Sequence, residues 1–531
     1  MAPAVIDSAV AHVLRLKFAL GLFEHPYVDP DSAAATAGSP AHLALARRAA
    51  REAMVLLKND HATLPLKRAI GSVAVIGSDG TEARLGGYSG PGTGSISILA
   101  GLRAALPHTA VRALPGPGRL STEHLTVPAT ALTSGRRAGH RGEYFTSTTL
   151  EGTPQIVRQD AQVDFAWTLG TPGAQISGDW YSARWTGTIT APAGLTRLGV
   201  EGDDGYRLWL DGKLLIDRWT PATHRATLVP VRLVAGSRHG LKLEFKSSVA
   251  NGRMKLVWDA GADRLWHRRI DEAVALARRS NAAIVVVGIE EGEFRDRAHF
   301  GLPGHQEELI RAVAATGRPT VVVLIGGSAI TMSSWLDQVD AVLLAWYPGQ
   351  EGGAAVADIL LGDDAPAGRL PITFPISEGQ LPLHYDHRPT GRGDDYLDST
   401  GEPLFPFGFG LSYTGFGYSD LSIAPDGAPG TLPVTVTCTI TNIGRRAGDE
   451  VAQLYVHDEI ASRDRPVLQL RGVRRIHLDP GESRQVTFRL TAAELQVLDD
   501  AGKWIVEPGT FRIAVGASSK DLRLQGRLTL R

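Results

Sequence analysis

Between Gly288 and Arg297 the chain reads Gly288-Ile289-Glu290-Glu291-Gly292-Glu293-Phe294-Arg295-Asp296-Arg297. Three glutamates fall within four positions, followed by an Asp-Arg pair. Crowded like charges raise the pKa of at least one member. A carboxyl kept protonated near neutral pH can donate a proton to a leaving-group oxygen. On spacing alone, a solvated acidic loop is the plainer reading. The segment gains weight from its position, directly after the apolar run Ile284 to Val287.

Three other short apolar runs share that character: Val73-Ala74-Val75-Ile76, Val321 to Ile325 and Val342 to Ala345. Consecutive apolar residues mark strands buried on both faces. Helical patterns separate them, including Asp271 to Arg279 and Gln306 to Ala315, the alternation of a doubly wound α/β sheet. In such sheets ligands bind beyond the carboxyl ends of the strands. Four loops are therefore expected on one edge: Gly77-Ser78-Asp79-Gly80, the glutamate loop, Gly326-Gly327-Ser328, and Trp346-Tyr347-Pro348-Gly349-Gln350-Glu351-Gly352. Carboxylates, Arg and aromatics gather there, a mixture that suits sugars.

Other chemical signals are weaker. Gly90-Pro91-Gly92-Thr93-Gly94 lacks the Lys-Ser/Thr of a phosphate loop. Gly326-Gly327-Ser328-Ala329-Ile330 lacks the last Gly of a nucleophile elbow. The 16 histidines include no H-E-x-x-H pair. Arg392-Gly393-Asp394 is short enough to arise by chance. Asp203-Asp204, in Glu201-Gly202-Asp203-Asp204-Gly205-Tyr206, has the makings of a calcium or sugar-diol contact, but a turn with surface carboxylates fits the composition better. Cys438 is the only cysteine, so an intrachain disulfide framework is excluded.

The elements that position these loops fill 531 residues, a length that suggests about three domains. The net charge of −1 argues against a nucleic-acid or anionic-membrane partner recruited by bulk charge. No apolar run approaches the roughly 20 residues of a membrane span. The start Met-Ala-Pro-Ala-Val-Ile-Asp has no secretory features, so the default expectation is cytoplasmic, although a missing upstream segment could have carried a signal. Val5 to Phe23 is expected to be helical, with Val10, Val13, Leu14, Phe18 and Leu22 at helical spacing. A polar linker from Asp29 to Gly38 leads to Ser39-Pro40, an N-cap and first-turn proline, and to a helix through Leu57. From about His140 to Ala262 the chain is β-rich, with turn signals at Asp211-Gly212 and Asn251-Gly252. A third, all-β region begins near Phe416. The expected divisions are 1–38, a split α/β unit over 39–135 and 263–405, an inserted β-sandwich over 136–262, and 406–531.

Several segments resemble glycoside hydrolase family 3, the β-glucosidase and β-xylosidase family. They are Ala50 to Asp60, Glu291 to Arg297 with Leu302-Pro303-Gly304-His305-Gln306, Trp346 to Gly353, Gly368-Arg369-Leu370-Pro371-Ile372-Thr373-Phe374-Pro375, and Phe405 to Thr414. The insert, through Gly202 to Gly212, resembles a protective-antigen-like sugar-binding sandwich. The C-terminal region resembles a fibronectin type III-like domain, through Asn442-Ile443-Gly444, Asp449 to Tyr455 and Leu478 to Glu482. The implied fold class is α/β plus all-β: a doubly wound α/β sandwich interrupted by a β-sandwich and followed by a fibronectin type III-like sandwich.

The resemblance implies hydrolysis of terminal β-linked sugars with retention, on a β-linked oligosaccharide or aryl glycoside, without a cofactor or metal. Glu293 is the expected acid/base, three residues before Asp296-Arg297, with Glu291 the alternative. Asp296 and Arg297 are expected to shape the loop. Asp203, Asp204, Trp346 and Tyr347 are candidate sugar contacts. Tyr206, Trp209 and Trp219 are expected mainly as core. By resemblance the insert stands over the acid/base edge and limits substrate length. Family members open with a (β/α)₈-like barrel of roughly 250 residues that carries the nucleophile in a Ser-Asp-Trp-type motif. The chain opens on Leu14 to Phe23, which resembles that barrel's exit, so no nucleophile is expected here. Gly178-Asp179-Trp180, inside the insert, lacks the preceding Ser and is rejected. A separately encoded barrel chain is an expected partner. The competing expectation is a non-catalytic carbohydrate-binding or interaction protein.

Overall fold

The computed structural model describes residues 2–90, 94–119, 123–167, 170–220, 224–248, 252–292, 296–390 and 395–531. One six-stranded sheet organises the α/β unit, in the order Val55–Asn59, Ala341–Trp346, Thr320–Ile325, Ala282–Gly288, Ser72–Ile76, Ala110–Leu114. All neighbours are parallel except Val55–Asn59, which runs antiparallel on its edge. The central strands are buried on both faces. Helices Pro40–Ala53, Ile98–Ala105 and Gly352–Leu361 pack on one face through residues such as Ala50, Leu102 and Ile359. Helices Ala262–Arg278 and Gln306–Ala314 cover the other through Ala273, Leu276, Leu309 and Val313.

Ser72–Ile76 and Ala282–Gly288, far apart in sequence, pair with Ala74 opposite Ala283 and Val75 opposite Ile284. From Ser72–Ile76 the chain moves outward to Ala110–Leu114, then returns to build Ala282–Gly288 on the opposite side. Strand order therefore reverses between these two strands. That reversal opens a crevice at their carboxyl ends, where Gly77 and Ile289 begin their loops. Gly77, at φ +122°, lies so close to the neighbouring strand that an added Cβ would come within 1.8 Å of the Val286 carbonyl oxygen.

The first helices differ from expectation in detail. The opening helix spans Pro3–Ala19 and leaves Val5, Val10, Val13, Leu14 and Phe18 exposed. The expected linker contains a short helix, Pro30–Thr36, capped by Asp29 through the Asp31 N–H. The helix expected to reach Leu57 stops at Ala53, and Val55–Asn59 is a strand. Val55, Leu56 and Leu57 are all buried, so consecutive sheet burial overrides the helical spacing of Ala50, Ala53 and Leu57.

The inserted sandwich packs an eight-stranded sheet on a five-stranded one around Tyr144, Trp185, Leu198, Phe245 and Leu256. Leu125–Thr126 and Leu132–Ser134 pair into these sheets. The sandwich thus takes in residues that the sequence pattern assigns to the α/β unit. The C-terminal sandwich sets a three-stranded sheet against a four-stranded one. Val434–Asn442 alternates strictly inward and outward, with Val436, Cys438 and Ile440 in the core. Among the described residues, no helix is long and apolar enough to cross a membrane.

Candidate active site

Gln306, only 3% exposed, fixes the start of the glutamate loop. Its Oε1 accepts from the Gly288 N–H and its Nε2 donates to the Gly288 carbonyl, both at 2.8 Å. Three residues on, Glu291 reaches across to the next two strand ends. Its Oε2 accepts from the Gly327 N–H at 2.5 Å and from the Tyr347 hydroxyl at 3.1 Å. Its Oε1 accepts from the Ser328 hydroxyl at 2.5 Å. Both oxygens are thus occupied by donors from neighbouring loops.

Ser328 joins this carboxylate to Arg297, whose Nη2 donates to the Ser328 Oγ at 3.0 Å and to the Ala329 carbonyl at 3.3 Å. Arg297 Nη1 also donates to the His299 and Gly301 carbonyls. It shapes the loop by hydrogen bonds to backbone and hydroxyl oxygens. Asp296 is exposed. Glu293 lies outside the described residues.

The other side of the crevice is built from the loop after Ser72–Ile76. Arg84 Nη2 donates to the Ile289 carbonyl at 2.5 Å, and its guanidinium lies 5.5 Å over the Tyr347 ring. Arg84 Nη1 holds both oxygens of Asp79, at 3.1 and 3.0 Å, and Arg119 Nη1 reaches Asp79 at 2.6 Å. Burial pushes the Asp79 carboxyl above its usual range, against the pull of both guanidiniums. The backbone at Gly87 presses on the glutamate loop: a Cβ there would stand 2.0 Å from the Glu291 carbonyl oxygen. Burial, followed by the neighbouring Glu291 charge, pushes the Tyr347 phenol up to about 12. Its proton is therefore retained across the neutral range and donated to Glu291. Trp346, at φ +56°, turns its indole Nε1 to the Ala53 carbonyl at 3.1 Å.

The structure brings Glu291, Arg297, Ser328 and Tyr347 together on one edge. It does not support Asp203 and Asp204 as exposed sugar contacts. Asp204 is 3% exposed, and its Oδ2 accepts from the Ser248 N–H. Asp203 Oδ1 accepts from the Arg253 N–H at 2.7 Å. The two carboxylates brace the strand ends on either side of them, because buried backbone N–H groups need acceptors. Tyr206 is core at 1% exposure. Lys242 Nζ sits 3.6 Å over Trp209, and Arg207 lies 4.6 Å over Trp219.

Sequence reasoning missed Arg84 and Arg119. Neither stands directly after an apolar run; Arg84 meets Asp79 five positions back, but its reach to the Ile289 carbonyl, and that of Arg119 to Asp79, exist only in the folded sheet. The cavity beside this edge, lined by Asp79, Arg84, Ile325 and Pro348, offers about 10 Å³, room for about one water. Among the described residues, no group of three or more His, Cys, Asp or Glu could hold a metal ion.

Comparison with known proteins gives this edge its context. Residues 54–413 match the glycosyl hydrolase family 3 C-terminal domain, and residues 450–519 match a fibronectin type III-like domain. A beta-glucosidase from Rhizobium radiobacter is 35% identical over 98% of this chain and 66% of its own length. A periplasmic beta-glucosidase from Salmonella typhimurium is 30% identical over 99% of this chain and 56% of its own. Among solved structures, a β-glucosidase from Erythrobacter marinus aligns with TM-score 0.66 and 29% identity, covering 96% of this chain and 53% of that one. The chain therefore spans about half to two thirds of the length of these relatives. It belongs to glycosyl hydrolase family 3 and carries that family's C-terminal domain.

Proposed function

We propose that this chain is the acid/base-bearing portion of a retaining β-glycosidase of the β-glucosidase type. In this reading Glu293 protonates the leaving-group oxygen and then activates water. The nucleophile comes from a (β/α)₈ barrel outside these 531 residues, on the same or a separate chain. Retention requires the two carboxyl groups about 5–5.5 Å apart. The substrate class is a terminal β-linked sugar of an oligosaccharide or an aryl glycoside.

The observation that carries this reading is the coordination of Glu291. A proton donor must turn one oxygen toward the leaving group, and both Glu291 oxygens already accept from Gly327, Ser328 and Tyr347. Glu291 is therefore read as the anchor that holds the loop. The resemblance gives the role of acid to Glu293, which sits at the family's spacing to Asp296-Arg297.

The test is hydrolysis of aryl β-glucosides. The 531-residue chain alone should show no turnover, and a cognate barrel should restore it. In the restored enzyme, Glu293→Gln should cost about 10²–10⁴-fold, most severely on poor leaving groups. Robust turnover by the isolated chain, abolished by changing a carboxylate within it, would overturn the assignment.

A further inference from the structure

A cavity of about 510 Å³ lies where the segment after Thr373 crosses the C-terminal sandwich. It shares no lining residue with the edge that carries Glu291, and its volume falls within the roughly 300–1,000 Å³ of small-molecule sites. Tyr385, Tyr396 and Phe407 all line it. Phe407 stacks on Tyr385 with centroids 4.1 Å apart and planes 11° apart. Tyr385 in turn meets the buried Tyr455 edge-on at 6.1 Å, and its hydroxyl oxygen accepts from the Leu470 N–H. The ring pair is therefore fixed to the sandwich rather than carried on a free loop.

The polar lining is balanced in sign. Lys520 and Arg512 stand against Glu402 and Asp395. Lys520 Nζ pairs with Glu402 at 2.9 Å, which ties the sandwich to the connecting segment. Asp395 accepts from the Thr400 hydroxyl and the Gly401 N–H. His387 donates from Nδ1 to the Arg388 carbonyl at 2.9 Å, which leaves Nε2 as an acceptor. Ser519, 7% exposed, also lines the cavity, and its hydroxyl has no hydrogen-bond partner. A buried unsatisfied hydroxyl is costly.

The lining carries no surplus of either charge to draw an ionic ligand. Donors and acceptors close together beside a flat apolar surface suit a molecule with hydroxyls around its rim and one C–H face. That molecule is a pyranose. We propose that this cavity is a second, non-catalytic sugar site, taking a neutral mono- or disaccharide unit. It would hold part of an oligosaccharide, or a released sugar, apart from the hydrolytic edge.

Calorimetric titration of the full 531-residue chain with cellobiose and with glucose tests this. Saturable binding is expected for at least one sugar, weakened about tenfold by Phe407→Leu, since an aromatic partner is lost. Arg512→Ala and Lys520→Ala, both outside the apolar core, should weaken it severalfold, while the exposed Lys520–Glu402 pair, worth about 0–1 kcal/mol, leaves the fold intact. Glu293→Gln should leave the titration unchanged, which separates this site from the proposed acid. The proposal is overturned by absence of binding at tens of millimolar sugar. It is equally overturned by binding indifferent to Phe407→Leu, Arg512→Ala and Lys520→Ala, or by a response to galacturonate or phosphate but not to neutral sugars.

Discussion

Replacing Glu291 with Gln keeps its shape and removes its charge, so it isolates what the carboxylate does for the loop. Three donors converge on this group, from Gly327, Ser328 and Tyr347. The amide has one acceptor oxygen, so one of its two head positions now presents N–H₂ to a donor. Ser328 can turn and accept through its second lone pair, but its hydroxyl then loses its bond to Glu291 while Arg297 still donates to its oxygen. A hydrogen bond to a charged partner contributes about 1.5–3 kcal/mol, against about 1 kcal/mol for a neutral one. Three bonds each losing the difference of about 0.5–2 kcal/mol would together lose about 1.5–6 kcal/mol. Glu291 is partly exposed, and solvent screening lowers that to about 1–2 kcal/mol. At about 1.4 kcal/mol per factor of ten, loop opening should increase roughly 5–30-fold. The Gly327 amide donates directly to Glu291, so its hydrogen-exchange rate reads this opening. That amide should exchange roughly 5–30-fold faster in the Gln variant, while the strand Thr320–Ile325 keeps its protection. Tyr347→Phe, which deletes the 3.1 Å bond to Glu291 and the 3.3 Å bond to the Ile289 carbonyl but keeps both shorter bonds to Glu291, should give a smaller acceleration. Unchanged Gly327 exchange in the Gln variant would refute the anchoring role. In a barrel-completed enzyme, a leaving-group-dependent loss in Glu291→Gln but not in Glu293→Gln would move the acid to Glu291.

Two further outcomes follow from buried groups in the inserted sandwich. His140 is fully buried, its Nε2 lies 3.4 Å from the Thr188 carbonyl, and its Nδ1 has no partner, so burial pushes it from 6.5 down to about 4. The folded pKa is depressed, so the unfolded chain takes up the proton first and stability falls as pH drops from 6.5 toward 4. The loss should total about 3 kcal/mol across that window. Thermal melts of His140→Leu should show a shallower slope there, and an identical slope would refute the assignment. Asp204→Ala should destabilise the sandwich by about 1–2 kcal/mol, through the lost bond to the Ser248 N–H and the φ of +57° that Asp tolerates better than Ala. Sugar titrations of that variant should be unchanged; lost binding with an unaltered melt would restore Asp204 as a sugar contact.

What the sequence made legible follows from where its signals come from. The strands Ala282–Gly288, Thr320–Ile325 and Ala341–Trp346 are buried on both faces, so continuous apolar runs announce them. Their carboxyl-end loops then fall into place by topology alone, which is how Glu291, Ser328 and Tyr347 could be placed on one edge before any contact was known. Val55–Asn59 was not legible as a strand, because Ala50, Ala53 and Leu57 continue a helical spacing that only pairing with Ala341–Trp346 interrupts. Asp203 and Asp204 misled for a related reason. Composition assigns turn carboxylates to solvent, yet here the backbone N–H groups of Ser248 and Arg253 lie close enough to take them. Arg84 is the sharpest case. Its Asp79 partner lies five positions back, a spacing that is no signal by itself, and its other partner is a carbonyl more than two hundred positions along the chain. It nonetheless joins the two loops that flank the point where strand order reverses. A residue whose role exists only after the sheet has assembled leaves no local pattern, and it is by such residues that the glutamate loop is held in place.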